Sequence, residues 1–182
     1  MLVSIGFDFR LRGNMTIRNA TSITVLATGG TIDKEYNFDS EMVIGEPFIR
    51  SILERVITEV SFDIRSVLKL DSLDMTDADR DVLVSAVNAV EGDRILITHG
   101  TDTMPETARY LLEHASIEGK TIVLCGSIQP AIMRHSDADF NVGAAVAALN
   151  LLEPGVYVSM SGQIFDGATV RKDRSRGLFV ER

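Results

Sequence analysis

Four short stretches of this chain share one hydrophobic pattern. Ile23-Thr24-Val25-Leu26-Ala27, Arg94-Ile95-Leu96-Ile97-Thr98, Thr121-Ile122-Val123-Leu124-Cys125 and Gly155-Val156-Tyr157-Val158-Ser159-Met160 are brief, apolar and rich in β-branched residues. The first three run into Thr28-Gly29-Gly30, His99-Gly100 and Gly126-Ser127. Near-continuous apolar runs, rather than alternating ones, predict strands covered on both faces, as in a parallel sheet. Ile64-Arg65-Ser66-Val67-Leu68 is a weaker fifth strand. Helical spacing falls between these runs. Phe48, Ile52, Leu53 and Val56 share one face over Pro47 to Ile57. Thr76 resembles a cap for a helix carrying Val82, Leu83, Ala86, Val87 and Val90, with Asp77 and Asp79 in its first turn. Met104, Ala108, Leu111, Leu112 and Ala115 form a third face, with Pro105 tolerated in the first turn. Ser136 is placed to cap a fourth helix through Val142, Val146 and Leu149. Strands alternating with helices predict an α/β domain: an open, mostly parallel sheet flanked by helices on both faces.

Composition narrows the class. With 182 residues, 45% of them hydrophobic, the chain has the size of one domain with a substantial core. Residues 1–20 read as a loose N-terminal extension, with Met15 just before the patterned sequence, and 21–182 as a single domain. The net charge of −8 and the lack of a basic stripe argue against a nucleic-acid partner. The one dense basic run, Arg171, Lys172, Arg174 and Arg176, is interrupted by Asp173. No stretch is long and apolar enough to span a bilayer, and the N-terminus lacks the layout of a signal peptide. Cys125 is the only cysteine, so no intrachain disulfide is expected. Its apolar setting reads as that of a buried small hydrophobe, and a lone thiol suits a reducing cytoplasm. His99, His114 and His135 lack metal-ligand spacing, so no metal or other cofactor is expected.

In open parallel sheets, ligands bind beyond the carboxyl ends of the strands. Those ends carry Thr28-Gly29-Gly30-Thr31, Asp71-Ser72-Leu73-Asp74, Thr98-His99-Gly100-Thr101-Asp102-Thr103 and Gly126-Ser127. Hydroxyls and carboxylates thus converge on one edge. The paired glycines permit a close backbone approach to a ligand, and they equally make an ordinary strand-to-loop turn. The lysine of a phosphate-binding GxxxxGK[ST] loop is missing. Asp102, Thr101 or Thr103 can cap the next helix, but a hydroxyl-dense helix start beside a glycine also suits a small polar substrate. His99 reads as structural rather than as a base.

Together these segments resemble the bacterial-type L-asparaginase family. Thr28-Gly29-Gly30-Thr31-Ile32 is similar to its first signature, and the stretch from His99 through Thr101-Asp102-Thr103-Met104-Pro105-Glu106-Thr107 to Ala108 to its second. Asp71-Ser72-Leu73-Asp74-Met75 and Phe165-Asp166-Gly167-Ala168-Thr169-Val170-Arg171-Lys172 extend the likeness, in the family's order, over Thr21 to Lys172. The resemblance implies hydrolysis of the side-chain amide of asparagine. Thr31 would be the nucleophile, Thr101, Asp102 and Lys172 a second catalytic group, and Tyr36 a residue of the loop that closes over the substrate. Gly30, Ser72, Leu73, Thr101, Asp102 and Ser127 would line the substrate site. Ser72 would hold the α-carboxylate and Asp102 the α-ammonium. An amino-acid substrate, a homodimer or higher oligomer and a cytoplasmic location follow as expectations.

Three departures stand out. The family's second, C-terminal domain, which lends an acidic residue to a neighbour's site, has no counterpart before Arg182, so a short single-domain form is expected. Leu73 stands where many members carry glutamine, which removes a hydrogen bond and bears on selectivity over glutamine. Asp33 adds a negative charge where small residues are common. Two other readings stay open: an asparaginase-like subunit of an amidotransferase, and a binding module that has lost turnover.

Overall fold

The computed structural model describes residues 19–181. The extension expected over 1–20 therefore lies, apart from its last two residues, outside the described residues.

The chain begins with β1 (Ser22–Gly29), then a 3-10 turn at Thr31–Asp33 and a small antiparallel hairpin of β2 (Lys34–Tyr36) and β3 (Met42–Ile44). The elements α1 (Ile49–Leu53), β4 (Ser61–Leu70), α2 (Asp77–Asn88), β5 (Arg94–Thr98), α3 (Met104–His114), β6 (Thr121–Cys125), α4 (Ala138–Leu149) and β7 (Gly155–Met160) follow. The described chain closes with β8 (Gln163–Asp166), β9 (Val170–Asp173) and β10 (Leu178–Glu181). One six-stranded sheet runs β4-β1-β5-β6-β7-β8, parallel except for β8, which pairs antiparallel with β7. Strand β9 pairs antiparallel with β10 in a separate ribbon.

Side-chain alternation explains why helices cover both faces. Leu26, Ile95, Ile97, Ile122, Leu124, Val156 and Val158 point to one side, where they pack with Leu83 and Val87 of α2 and Ala108 and Leu111 of α3. Ile23, Val25, Leu96, Val123 and Cys125 point to the other, against Ile49 and Ile52 of α1 and Val142, Ala145 and Leu149 of α4. This is the expected α/β architecture. Among the described residues no helix is long and apolar enough to cross a membrane.

Local expectations meet the structure unevenly. Thr76 caps α2 in a reciprocal capping box with Asp79. Helix α1 is shorter than the spacing predicts: it ends at Leu53, and Val56 and Ile57 are 53% and 103% exposed. The run Val56-Ile57-Thr58 is β-branched throughout and resists helix. Helix α4 starts one residue later than a Ser136 cap implies, although the Ser136 hydroxyl still accepts the Ala138 N–H at 3.1 Å. Asp137, at the cap position, is engaged elsewhere: its carboxylate accepts the Ile128 and Gln129 N–H groups and the Asn141 amide.

Candidate active site

The site is built on contacts between strand-end turns. Gly29 and Gly30 follow β1 with φ of 95° and 82°, which only glycine adopts without strain. A side chain at Gly30 would strike the backbone of Gly100, and one at Gly100 would strike the side chain of Ser72. The turns after β1, β5 and β4 therefore touch with no room for a Cβ. The Gly30 N–H donates to the Leu70 carbonyl at 2.9 Å, and the Thr28 hydroxyl donates to the Thr98 carbonyl at 2.9 Å. Thr103 locks the third turn by donating to the Ser72 carbonyl at 2.7 Å.

Strand β9 brings the last component. Lys172 is 10% exposed, and its ammonium donates to Thr101 Oγ1 and Asp102 Oδ1, each at 2.7 Å. This hydroxyl–ammonium–carboxylate cluster joins residues some seventy positions apart in sequence. Thr31, Thr101, Asp102 and Lys172 line one cavity of about 320 Å³, with Ile128, Arg174 and Gly177 completing the wall. A larger cleft of about 370 Å³, between α1 and the loop before α4, is lined by Phe48, Arg55, Ala131 and Met133. Its ion pair, Arg55–Asp139 at 2.9 Å, is solvent-exposed, unlike the shielded Lys172, so chemistry rather than volume selects the site.

The other residues singled out from sequence sit apart from this cavity. Ser72 is buried beneath Gly100, and its hydroxyl has no hydrogen-bond partner. Leu73 is 62% exposed, and its N–H donates to Asp71 Oδ1. The Ser127 hydroxyl is buried and donates to the Gln129 carbonyl at 2.5 Å. Tyr36, on the β2–β3 hairpin, is 65% exposed and does not line the cavity.

Three buried titratable groups lie at or beside the turns. His99 is fully buried: Nδ1 bonds the Gly100 carbonyl at 2.7 Å, and Nε2 lies 2.9 Å from the Thr107 hydroxyl. Only a protonated Nδ1 can donate to that carbonyl, so Nε2 accepts from Thr107. Burial lowers its pKa to about 4, so the ring is neutral and structural, as its setting in the sequence suggests. Asp33, two residues after Thr31, is 3% exposed and accepts the Phe48 N–H at 2.8 Å. Burial raises its pKa from 3.8 to about 7, further pushed by Glu46 and opposed by the Phe48 bond and Lys69. The Cys125 thiol is pushed up to about 12 by burial and, secondarily, by Asp33, consistent with an inert core residue.

Sequence reasoning missed several residues that shape the site. Asn141 is fully buried; it donates to the Gly126 carbonyl and accepts the Ser161 N–H, fixing the turn after β6. A polar residue inside the apolar stretch of α4 was its signal. Arg174, in the turn that follows β9, lines the same cavity as Lys172.

The fold and this cluster define the class: an open α/β domain with a polar cleft at the carboxyl edge of its parallel sheet. The model of the family described as Asparaginase, N-terminal, matches residues 22–179. The chain belongs to the asparaginase family. It is 34% identical over 173 residues to a probable periplasmic L-asparaginase of Haemophilus influenzae, covering 87% of this chain and 49% of that one. It is 33% identical over 171 residues to a glutamyl-tRNA(Gln) amidotransferase component of Methanococcus vannielii, covering 85% and 39%. The thermostable L-asparaginase from Thermococcus kodakarensis superposes with a TM-score of 0.77 at 30% identity, covering 88% of this chain and 51% of that one. A probable cytoplasmic L-asparaginase from Campylobacter jejuni gives 0.76 at 28% identity, covering 88% and 53%. The chain thus spans about half the length of the asparaginases it matches.

Proposed function

We propose that this domain hydrolyses the side-chain amide of L-asparagine to L-aspartate and ammonia. The carrying observation is the Lys172 ammonium held against both Thr101 and Asp102 in the cavity that Thr31 lines. Thr31 Oγ1 attacks the side-chain carbonyl, the C–N bond breaks, and an aspartyl ester forms on Thr31. Water then cleaves that ester and restores the hydroxyl. A threonine hydroxyl needs proton transfer to act. Thr101 and Lys172 supply the relay: in the first step it passes the Thr31 proton to the departing nitrogen, and in the second it passes a proton of the attacking water back to the Thr31 oxygen. The Gly30 N–H is committed to Leu70, so backbone N–H groups further along the two turns serve the oxyanion. Asp102, with its second oxygen free of Lys172 and 36% of its side chain exposed, takes the substrate ammonium. Gly30 keeps the turn close, and Ser72, Leu73, Ser127 and Tyr36 form an outer set that substrate-induced movement would recruit. No metal or cofactor enters this scheme.

A second reading is an amidotransferase subunit, favoured by the likeness to the Methanococcus vannielii protein. A third is a non-catalytic holder of asparagine. Ammonia release from pure protein with asparagine and with glutamine separates them. Turnover favouring asparagine is the expected result. Binding without ammonia supports the holder, and release only with a partner protein supports the amidotransferase reading. A homodimer or larger oligomer accords with the exposed apolar side chains of Ile57, Ile132 and Phe140, and light scattering tests it. The cytoplasm is the proposed location, on the strength of the lone cysteine.

A further inference from the structure

The two ends of the six-stranded sheet are finished differently. At one end, Phe165 of β8 packs against Phe179 of β10. At the other, β4 pairs with β1 alone among the described residues, so its far edge is open. One bond fixes which backbone groups face that edge. The Ser61 N–H donates to the Thr21 carbonyl at 3.0 Å, so Ser61, Asp63 and Arg65 turn their N–H and C=O groups toward β1. Phe62, Ile64 and Ser66 turn theirs outward. The pairing with β1 is regular from Ser61 to Ser66, and its register shift falls beyond. An open edge of this kind is a template for another strand.

The side chains say which strand fits. Asp63 and Arg65 lie on one face of β4, bonded to each other at 2.6 Å and both exposed. Phe62 and Ile64 lie on the other face, where with Leu53, Val56 and Val60 they line an open groove of about 270 Å³. An edge carrying one sign of charge repels its own copy. This edge carries both signs two residues apart, which makes it complementary to itself.

We propose that the open edge of β4 is a homodimer interface, in which two copies pair their β4 strands antiparallel about a two-fold axis through Ile64. This dimer rests on the reading of the chain as self-associating, and not on hydrolysis. In that register Ile64 meets Ile64 of the second copy and Phe62 meets Ser66, each pair exchanging two N–H···O bonds. Asp63 falls opposite Arg65 at a non-hydrogen-bonded position, where opposed Cα atoms approach to about 4.5 Å. The charges then alternate in sign around the axis. Sliding one strand by two residues sets Asp63 against Asp63 or Arg65 against Arg65. Sliding it by one sets outward-facing backbone against inward-facing backbone. Charge and backbone direction therefore select a single register, and Phe62 and Ile64 of the second copy continue the apolar face of the groove.

Sedimentation velocity over a concentration series tests this interface. The wild-type chain is expected to dimerise. Asp63→Arg and Arg65→Asp should each weaken the dimer by on the order of tenfold or more, because attraction becomes repulsion at both cross-strand pairs. The double variant should regain it. So should an equimolar mixture of the two single variants, as a heterodimer. Mixing restores the cross-strand attraction but leaves each chain with two like charges, so a gain on mixing cannot come from contacts within a chain. Hydrogen exchange should protect the Phe62, Ile64 and Ser66 amides in step with dimerisation, and the Asp63 and Arg65 amides at every concentration. A chain that stays monomeric would overturn both the interface and the self-association behind it. A dimer indifferent to the charge reversals, or one not rescued by mixing, would overturn the interface and leave self-association to another surface. Protection of the Phe62 and Ile64 amides in a monomer would assign the edge to another segment of the chain, and would overturn it as well.

Discussion

The packed turns of the candidate cleft and the β2–β3 hairpin that follows Thr31 are built to different standards. On one side, the turns after β1, β4 and β5 press together at Gly30, Gly100 and Ser72, and Lys172, 10% exposed, is bound to two partners. On the other, the β2–β3 hairpin stands out from the sheet, with Tyr36 65% and Phe38 109% exposed. The first region is held by contacts that leave no slack. The second is held by three residue pairs and a tip that packs against nothing, apart from anchors such as the Lys34–Asp71 ion pair at 2.6 Å. That pairing holds the Asp71 carboxyl below its ordinary value, chiefly through the hydrogen bond from Lys34. Under the proposed hydrolysis, chemistry that needs fixed distances is assigned to the first, and closure over a substrate to the second.

Substitutions can break or sharpen this contrast. The largest effect is expected at the packed side: Thr31→Ala should lower turnover more than about 10³-fold while the fold persists, measured by ammonia release and circular dichroism. Lys172→Met should cost roughly 10²–10³-fold in kcat. If it changes only the salt dependence, the cluster is a solvated ion pair rather than a relay. Gly100→Ala drives a Cβ into Ser72 and should destabilise by about 1–3 kcal/mol, with a parallel loss of activity, read by denaturant melts.

Asp33 lies between the Gly30 turn and the hairpin, its carboxylate bound to the Phe48 N–H at the start of α1, and its effect depends on pH. The unfolded chain releases this proton near 3.8 and the folded chain near 7, so the folded state holds more protons between those values. Its contribution to stability therefore falls as pH rises through that window and levels off above it. Asp33→Asn keeps an acceptor for Phe48 and removes the buried charge. It should flatten that dependence and stabilise at pH 8 by on the order of 1 kcal/mol or more, compared with little change near the lower end of the window. The smallest effect is expected on the exposed side: Tyr36→Phe should change kcat/KM by less than about tenfold. A loss matching that of Lys172→Met would place Tyr36 among the fixed groups.

Much of this arrangement was legible in the sequence, for a physical reason. Strands buried on both faces are written as unbroken apolar runs, so β1, β5, β6 and β7 could be read to within a residue or two. The strand-end turns announced themselves through glycine and hydroxyl residues. Strand β9 could not be read that way, because Val170-Arg171-Lys172-Asp173 looks like a solvated charge run. Family resemblance, not periodicity, drew attention to Lys172. Arg174 reads in the sequence only as part of that run, although it lines the cavity. Tyr36 was tied to the site by resemblance alone, and the hairpin that bears it has few buried residues to constrain it.

A covalent intermediate on the Thr31 oxygen is the central claim. Acid-quenched reaction with L-asparagine, followed by tryptic peptide mass spectrometry, tests it directly, because Thr31 lies on the peptide 19–34 and Thr101 on 95–109. The expected result is an aspartyl adduct on the first peptide, absent in Thr31→Ala. An adduct confined to the Thr101 peptide, or one that persists without the Thr31 hydroxyl, would contradict it.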